Sequence, residues 1–183
     1  MAERADVVRN RERILAAAKR VFADPDRPHG PEAVAREAGV GVGTLYRHFP
    51  TTEVLAAAVY EDDLERVADA ASELIARHPP EEALRRWMDR FAERMAGKRA
   101  MAGALRSVLH DEGRSERTRT RMAAGVQAIL DAGAADGSLR SDVDAADVVT
   151  ALVGITLSTV GDDERAARLM DLVVRGVSSR TSR

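Results

Sequence analysis

The chain has 183 residues, of which 45% are hydrophobic, 32% are charged and only 3% are aromatic. This composition is typical of a soluble globular protein whose core is built from Ala, Leu, Val and Met, and it favours helices over sheets. The absence of Cys excludes disulfides, thiolate zinc sites and cysteine nucleophiles, and a cytoplasmic location is expected. No apolar signal-peptide core and no bilayer-spanning stretch is recognised, so no membrane partner is expected.

Charge is unevenly distributed along the chain. The formal net charge is -2, yet residues 1–50 contain nine basic and seven acidic side chains, a balance of +2. The remaining residues therefore sum to -4. A nucleic-acid interface is thus expected only in the N-terminal part.

Apolar periodicity predicts three helices in the N-terminal part. The first runs from about Val8 to Phe22 and ends before a Pro-rich connection at 24–31. A short helix follows at 31–38 and is ended by Gly39, and the third runs from Val42 to about Phe49. The inward residues of the first helix are expected to be Val8, Ile14, Leu15, Ala18, Val21 and Phe22.

The rest of the chain is also predicted to be helical. Thr51 is a suitable N-cap for a long helix that ends near Arg77, and Pro79-Pro80 opens another that ends near Ala96. Further helices are expected at 98–111, 115–135, 144–160 and 163–178, the third of these four capped by Asp144. No stretch alternates with period two. The predicted fold is all-α, with nine helices.

Two short helices around Gly39 fit a helix-turn-helix, which needs small residues where the helices touch and a glycine where the chain reverses. The side chains expected to face inward are Val34, Ala35, Ala38, Leu45 and Phe49. Those left facing outward are Gly41, Val42, Gly43, Thr44, Tyr46, Arg47 and His48. Small residues let a helix approach DNA closely, hydroxyls and cations bind phosphate, and Arg47 can bond guanine bidentately.

The run from Val34 to Phe49, followed by Glu53 and Leu55, resembles the signature of the TetR family of transcriptional regulators. The resemblance covers about residues 10–60. It implies a three-helix DNA-binding domain at 1–50, linked by the fourth helix to a dimerisation and ligand-binding domain at 51–183. The implied function is a dimeric regulator, most often a repressor that a small molecule releases from operator DNA. Neither enzymatic activity nor a cofactor is expected.

The resemblance also assigns roles within the recognition helix. Thr44, Tyr46 and His48 match positions that hold the DNA backbone. Val42, Gly43 and Arg47 match positions on the groove-facing side, where base identity is read. Many family members have a Lys near the start of the fourth helix, where this chain has Thr52, so that phosphate contact is reduced to a hydroxyl or a backbone amide.

A dimer is required if two recognition helices are to read successive major-groove faces, which are roughly 34–36 Å apart. The last two predicted helices have wide apolar faces and are the expected interface. The residues assigned to it are Val148, Val149, Leu152, Ile155, Thr156, Leu169, Met170, Val173 and Val177. The alternative is that these faces pack only against the helices that precede them.

An apolar stripe in the C-terminal part is the expected ligand pocket. Its residues are Trp87, Met88, Phe91, Met95, Met101, Leu105, Leu109, Met122 and Val126. Such a stripe is equally suited to a closed core, and only an interior cavity would make it a pocket. The neighbouring His110, Asp111 and Glu112 do not share a helix face, so no metal site is expected.

Other functional classes have sequence requirements of their own. A di-iron helical-bundle enzyme needs Glu-x-x-His pairs, and none of the four histidines has Glu three residues before it. No phosphate-binding or dinucleotide-binding glycine pattern occurs either. A regulator or activator without a small-molecule inducer remains an alternative, as does a helical binding module that does not contact DNA.

Overall fold

The computed structural model describes residues 2–24, 30–96, 112–159 and 161–179. These residues form eight helices and no β-strand, which confirms the all-α fold. The helices are α1 (Ala2–Ala23), α2 (Pro31–Ala38), α3 (Val42–His48), α4 (Thr52–Arg77), α5 (Pro80–Ala96), α6 (Glu112–Asp136), α7 (Ala145–Ser158) and α8 (Asp163–Val177). The helix predicted at 98–111 lies outside the described residues, which accounts for the difference from nine. None of the described helices is long and apolar enough to cross a bilayer.

The first helix begins six residues earlier than its apolar pattern predicts. It starts at Ala2, because Ala, Glu and Arg all favour helix and Arg9 pairs with Asp6 one turn away. Val8 is 55% exposed, so the prediction that it faces inward is wrong. The buried stripe of α1 begins at Ile14.

The described residues up to Asp62, together with 112–115, belong to one compact unit, and the described residues of 63–96 and 116–179 belong to a second. The division falls inside α4, so the first turns of this helix belong to the N-terminal unit. They contribute Leu55, Ala56 and Val59 to its core. The functional boundary expected at Thr51 stays a prediction, because packing alone does not define what a unit binds.

Residues from α1, α2, α3 and α4 build the core of the first unit. Its buried side chains are Ile14, Leu15, Ala17, Ala18, Val21, Phe22, Val34, Ala35, Ala38, Leu45, Phe49, Leu55, Ala56, Ala58 and Val59. Small residues predominate on α2, and α1 and α2 are consequently in extensive contact. This core holds the turn between α2 and α3 in place.

In the second unit, α7 packs on α8 and α5 contacts both. Asp144 accepts a hydrogen bond from the Ala146 N–H at 2.7 Å, which confirms it as the N-cap of α7. An isolated antiparallel bridge joins Leu139 to Ser178. It ties the loop before α7 to the end of α8.

Candidate nucleic-acid interface

Gly39 ends α2 in the left-handed conformation, with φ 63° and ψ 39°. Its N–H donates to the Arg36 carbonyl at 3.1 Å, and the Val40 N–H donates to the Ala35 carbonyl at 3.0 Å. These two bonds form a Schellman motif, which satisfies carbonyls at the helix end. A residue with a Cβ would be strained here. The predicted turn of the helix-turn-helix is therefore confirmed in its backbone geometry.

An arginine of α1 holds this turn from the outside. The Arg13 Nη2 donates to the Ala38 carbonyl at 2.8 Å and lies 3.4 Å from the Gly39 carbonyl oxygen. A guanidinium is well suited to this position because the last carbonyls of a helix carry partial negative charge. The orientation of α2 and its turn is thereby fixed to α1.

The recognition helix α3 is anchored from beneath by two buried side chains. Leu45 and Phe49 are each 1% exposed. The Phe49 N–H closes the helix by donating to the Leu45 carbonyl at 2.8 Å. The guanidinium of Arg11 lies over the Phe49 ring, 5.3 Å from its centroid, in a cation–π contact. Both anchors predicted from the sequence are confirmed as core residues.

The opposite face of α3 is open to solvent. Gly43 and Arg47 are exposed, as are Val42 at 36% and Tyr46 at 41%. Thr44 and His48 are half-buried. A Cβ added to Gly43 would meet no atom within 4 Å. No described residue of this unit covers the face whose residues were expected to contact DNA.

Adjacent threonines at the start of α4 have different surroundings. The Thr51 Oγ1 accepts a hydrogen bond from the Val54 N–H at 3.2 Å, which confirms Thr51 as the N-cap. The pKa of Glu53 is lowered by its own backbone N–H and by the Thr51 hydroxyl. Thr51 is thus occupied within the chain, whereas Thr52 is exposed as the first residue of the helix. Of these two threonines, Thr52 is the one whose hydroxyl is available for an external phosphate.

Several basic side chains of α1 are already paired within the chain. Lys19 pairs with Asp62, and Arg20 donates to Glu37 at 2.8 Å. The charge balance of +2 that was calculated from the sequence treated both side chains as available to bind an anion.

Two exposed arginines of this unit are not paired in this way. In the described part of the chain, neither Arg36 nor Arg47 has a hydrogen-bond or ion-pair partner. Arg36 was not among the predicted DNA contacts. Its position in the last turn of the first helix of the motif, on the side opposite Val34, was the available signal.

Comparisons with known proteins agree with this geometry. Residues 14–59 match a family profile described as bacterial regulatory proteins, tetR family. Residues 79–179 match a profile described as the C-terminal domain of transcriptional regulators that are SbtR-like. The chain belongs to the TetR family.

Solved TetR structures give the same assignment. A TetR transcriptional regulator of Streptomyces coelicolor is 43% identical, with 93% of this chain and 99% of that chain covered and a TM-score of 0.72. A TetR regulatory protein of Mycobacterium vanbaalenii is 33% identical, with 96% and 98% covered and a TM-score of 0.63. The TetR repressor FadR of Thermus thermophilus, solved with lauroyl-CoA, is 21% identical, with 90% and 91% covered and a TM-score of 0.64, and so shows the fold alone. No curated protein sequence matched.

The C-terminal region matched by the TetR profile contains the residues expected to line a pocket. Trp87 and Phe91 are fully buried and stacked, with ring centroids 6.4 Å apart and an angle of 10° between the rings. Met88, Met122 and Val126 are also buried, whereas Met95 is half-buried. Met101, Leu105 and Leu109 lie outside the described residues. No group of three metal-ligating side chains occurs among the residues described.

The expected TetR dimer residues fall into two groups. Val148, Val149, Leu152, Met170 and Val177 are at most 6% exposed, so they belong to the core of this chain and are not accessible to a second copy. Ile155, Thr156, Leu169 and Val173 are half-buried. Sequence periodicity identified the apolar helices but did not separate their inner from their outer faces.

Two leucines on the same helices are exposed. Leu157 is 61% exposed and Leu172 is 62% exposed. Leu157 was missed, although its spacing of four residues from Val153 places both on one side of α7. Gly154 and Gly176 lie nearby on the two helices, and a Cβ on either would meet no atom within 4 Å.

Proposed function

We propose that this TetR regulator binds operator DNA through the outward face of α3. The observation that carries the proposal is the open surface formed by Gly43, Tyr46 and Arg47 on a helix anchored by Leu45 and Phe49. The uncovered glycine allows close approach of the helix to base edges. Aromatic, hydroxyl and guanidinium groups around it supply the hydrogen-bond donors that DNA recognition uses.

The outward residues divide by the atoms they reach. Thr44, Tyr46, His48 and Thr52 hold phosphates, which gives affinity without sequence preference. Val42, Gly43 and Arg47 contact base edges, and a bidentate bond from an arginine to guanine discriminates by about 1–3 kcal/mol. The first helix of such a motif crosses the DNA backbone.

Arg36 adds a phosphate contact to this set. It is exposed on the last turn of α2 and has no ion-pair partner within the described residues. An unpaired guanidinium loses no internal contact when it binds a phosphate, whereas Arg20 would first have to leave Glu37.

Dimerisation is proposed to use the outer faces of α7 and α8. Leu157 and Leu172 provide exposed apolar surface, and Gly154 and Gly176 would let a partner helix approach closely. The half-buried Ile155, Thr156, Leu169 and Val173 border this surface. A second copy with the same two helices would complete a four-helix interface.

The regulator is proposed to be a cytoplasmic repressor that a small molecule releases from DNA. A ligand-binding role for the interior of the second unit is supported by the buried stripe around Trp87 and by the lauroyl-CoA bound to FadR, a protein of the same fold. Release requires that the ligand prefer the state with low DNA affinity. Each tenfold loss of operator affinity needs about 1.4 kcal/mol of that preference.

The DNA-binding claim is tested by selection from a pool of randomised duplexes with the full chain. We expect enrichment of inverted repeats whose half-sites are about one helical turn apart. The same selection with an Arg47→Ala, Tyr46→Phe double variant should enrich nothing. The proposal is refuted if the wild-type protein binds selected and random duplexes equally at every salt concentration.

A further inference from the structure

Trp87 is the only tryptophan of the chain and is fully buried in the second unit. Its Nε1–H has no hydrogen-bond acceptor within the part of the chain that the structure describes. An indole nitrogen is a donor only, and buried tryptophans usually find an acceptor because an unpaired buried donor has lost its bonds to water. The core of this unit therefore contains one unsatisfied donor.

The surroundings of this donor favour a neutral, aromatic partner. The Phe91 ring lies nearly parallel to the indole, with ring centroids 6.4 Å apart, so an apolar aromatic ring stacks beside the donor's own side chain. Other buried residues of α5 and α6 are apolar, namely Ala83, Leu84, Met88, Met122, Val126, Ile129 and Leu130. Among the described residues, the buried polar or charged ones are Asp63 and Thr159, and neither is a cation. Among these described residues an anionic ligand would meet no buried counter-charge, which makes its desolvation costly.

Two methionines allow this core to adapt. Met88 and Met122 are at most 2% exposed and lie on α5 and α6. An unbranched thioether side chain has several accessible rotamers and fills or vacates space more readily than a branched one. A Phe in place of Trp87 would also fill an apolar core, and it would do so without an unpaired donor. The indole N–H is thus the feature that packing does not require.

We propose that the ligand of this regulator is a neutral aromatic molecule with a carbonyl-type oxygen that accepts a hydrogen bond from the Trp87 Nε1–H. This inference rests on the proposed function, in which a small molecule enters the second unit. The ring of the ligand packs beside the rings of Trp87 and Phe91. Its oxygen satisfies the donor that has no acceptor among the described residues.

The test uses acetophenone and α-methylstyrene, two aromatic molecules of nearly the same size that differ by an oxygen in place of a CH2 group. Each is titrated into the full-length chain labelled with nitrogen-15. Because Trp87 is the only tryptophan, the indole region of the nitrogen–proton spectrum contains one resonance, which reports directly on the Nε1–H. Trp87→Phe removes the donor, and Phe91→Leu is the matched control that removes the stacked ring and keeps the donor.

We expect acetophenone to bind about tenfold more tightly than α-methylstyrene, as one hydrogen bond to a buried donor allows. Acetophenone should also move the indole proton downfield, and α-methylstyrene should not. Trp87→Phe should abolish the tenfold preference and change α-methylstyrene affinity by less than twofold. Phe91→Leu should weaken both molecules and retain the preference.

The proposal is overturned if neither molecule binds at millimolar concentration, if both bind equally, or if Trp87→Phe keeps the preference. Should Trp87→Phe fail to fold, the wild-type comparison of the two molecules decides by itself. Operator binding is measured on the same preparation without either molecule. Loss of DNA binding would refute the proposed function, whereas a negative titration with intact DNA binding would refute only this ligand assignment.

Discussion

The Arg13 Nη2 lies 2.8 Å from the carbonyl oxygen of Ala38, so a side chain of α1 caps the C-terminal end of α2 across 25 residues of sequence. This contact joins α1 to the turn between α2 and α3.

Arg13→Ala should therefore destabilise the chain by about 1.5 kcal/mol, the lower end of the range for a hydrogen bond with a charged group, because this one is only partly buried. Urea unfolding of the full chain measures this difference. Arg9→Ala is the control, because the exposed Arg9–Asp6 pair is confined to α1 and should contribute little. Equal losses in the two variants would show that the contact with Ala38 does not stabilise the turn.

Gly39→Ala and Gly41→Ala should have different effects on stability. Gly39 has a positive φ of 63°, and a Cβ there would lie 3.0 Å from the Arg13 Nη2, so we expect a loss of about 1–2 kcal/mol. Gly41 has φ -71° and no atom within 4 Å of an added Cβ. Gly41 is the N-cap of α3, where Ala is less favourable than Gly, so its variant should lose only about 0.5 kcal/mol. Thermal unfolding of both variants makes the comparison, and similar melting temperatures would contradict the assigned strain.

Gly43→Ala separates folding from DNA recognition. The added Cβ meets open space and replaces glycine inside a helix, so stability should be unchanged or rise by up to about 1 kcal/mol. Operator affinity should nevertheless fall at least tenfold, because the methyl group occupies the surface that approaches the base edges. Fluorescence anisotropy with a selected duplex measures the affinity. Unchanged affinity would remove Gly43 from the proposed DNA-binding face.

Leu172→Glu should dissociate the proposed dimer without unfolding the protomer. Leu172 is 62% exposed in the single chain, so a charge there is solvated until a second copy covers it. Sedimentation velocity should give a monomer for this variant and a dimer for the wild type. Ala167→Glu adds the same charge to an exposed position about 140° around α8. A dimeric Leu172→Glu variant, or a monomeric Ala167→Glu variant, would contradict the assigned surface.

The ion pair between Arg85 and Asp171 predicts a pH-dependent stability. Hydrogen bonding from the Arg85 guanidinium lowers the pKa of Asp171. The ionised carboxylate therefore stabilises the fold above the unfolded pKa of about 3.9, and this contribution is lost as pH falls through the lower folded pKa. Asp171→Asn should melt at a lower temperature than wild type at pH 7, and the difference should vanish at strongly acidic pH. Adding Arg85→Gln to Asp171→Asn should lower the melting temperature little further, because the pair is already broken. An additive decrease would show that the two side chains act independently.

Sequence reasoning succeeded where a local rule determines the structure. Gly39 was predicted because a left-handed C′ position favours glycine, and Asp144 because an N-cap needs a side-chain acceptor beside the first turn. Leu45 and Phe49 were predicted because helical spacing places them on one side of α3. Each of these features depends on residues within about one turn of each other.

Features that depend on distant residues were not predictable in this way. The pairing of Lys19 with Asp62 joins residues 43 positions apart. Periodicity identified α7 and α8 as apolar, but which face meets the chain's own core depends on their contacts with each other and with α5. The Trp87 donor, which has no acceptor among the described residues, has no signature in the sequence.

The internal ion pairs of α1 determine how the regulator responds to ionic strength. A side-chain cation that neutralises a DNA phosphate releases the counterion condensed there. Lys19 and Arg20 are already paired with carboxylates, so they release few counterions when DNA binds. That term comes instead from Arg36 and Arg47, which have no partner among the described residues, and the proposed dimer would double it. The attraction to DNA thus depends on these local guanidinium groups and not on the net charge of the chain, which is -2.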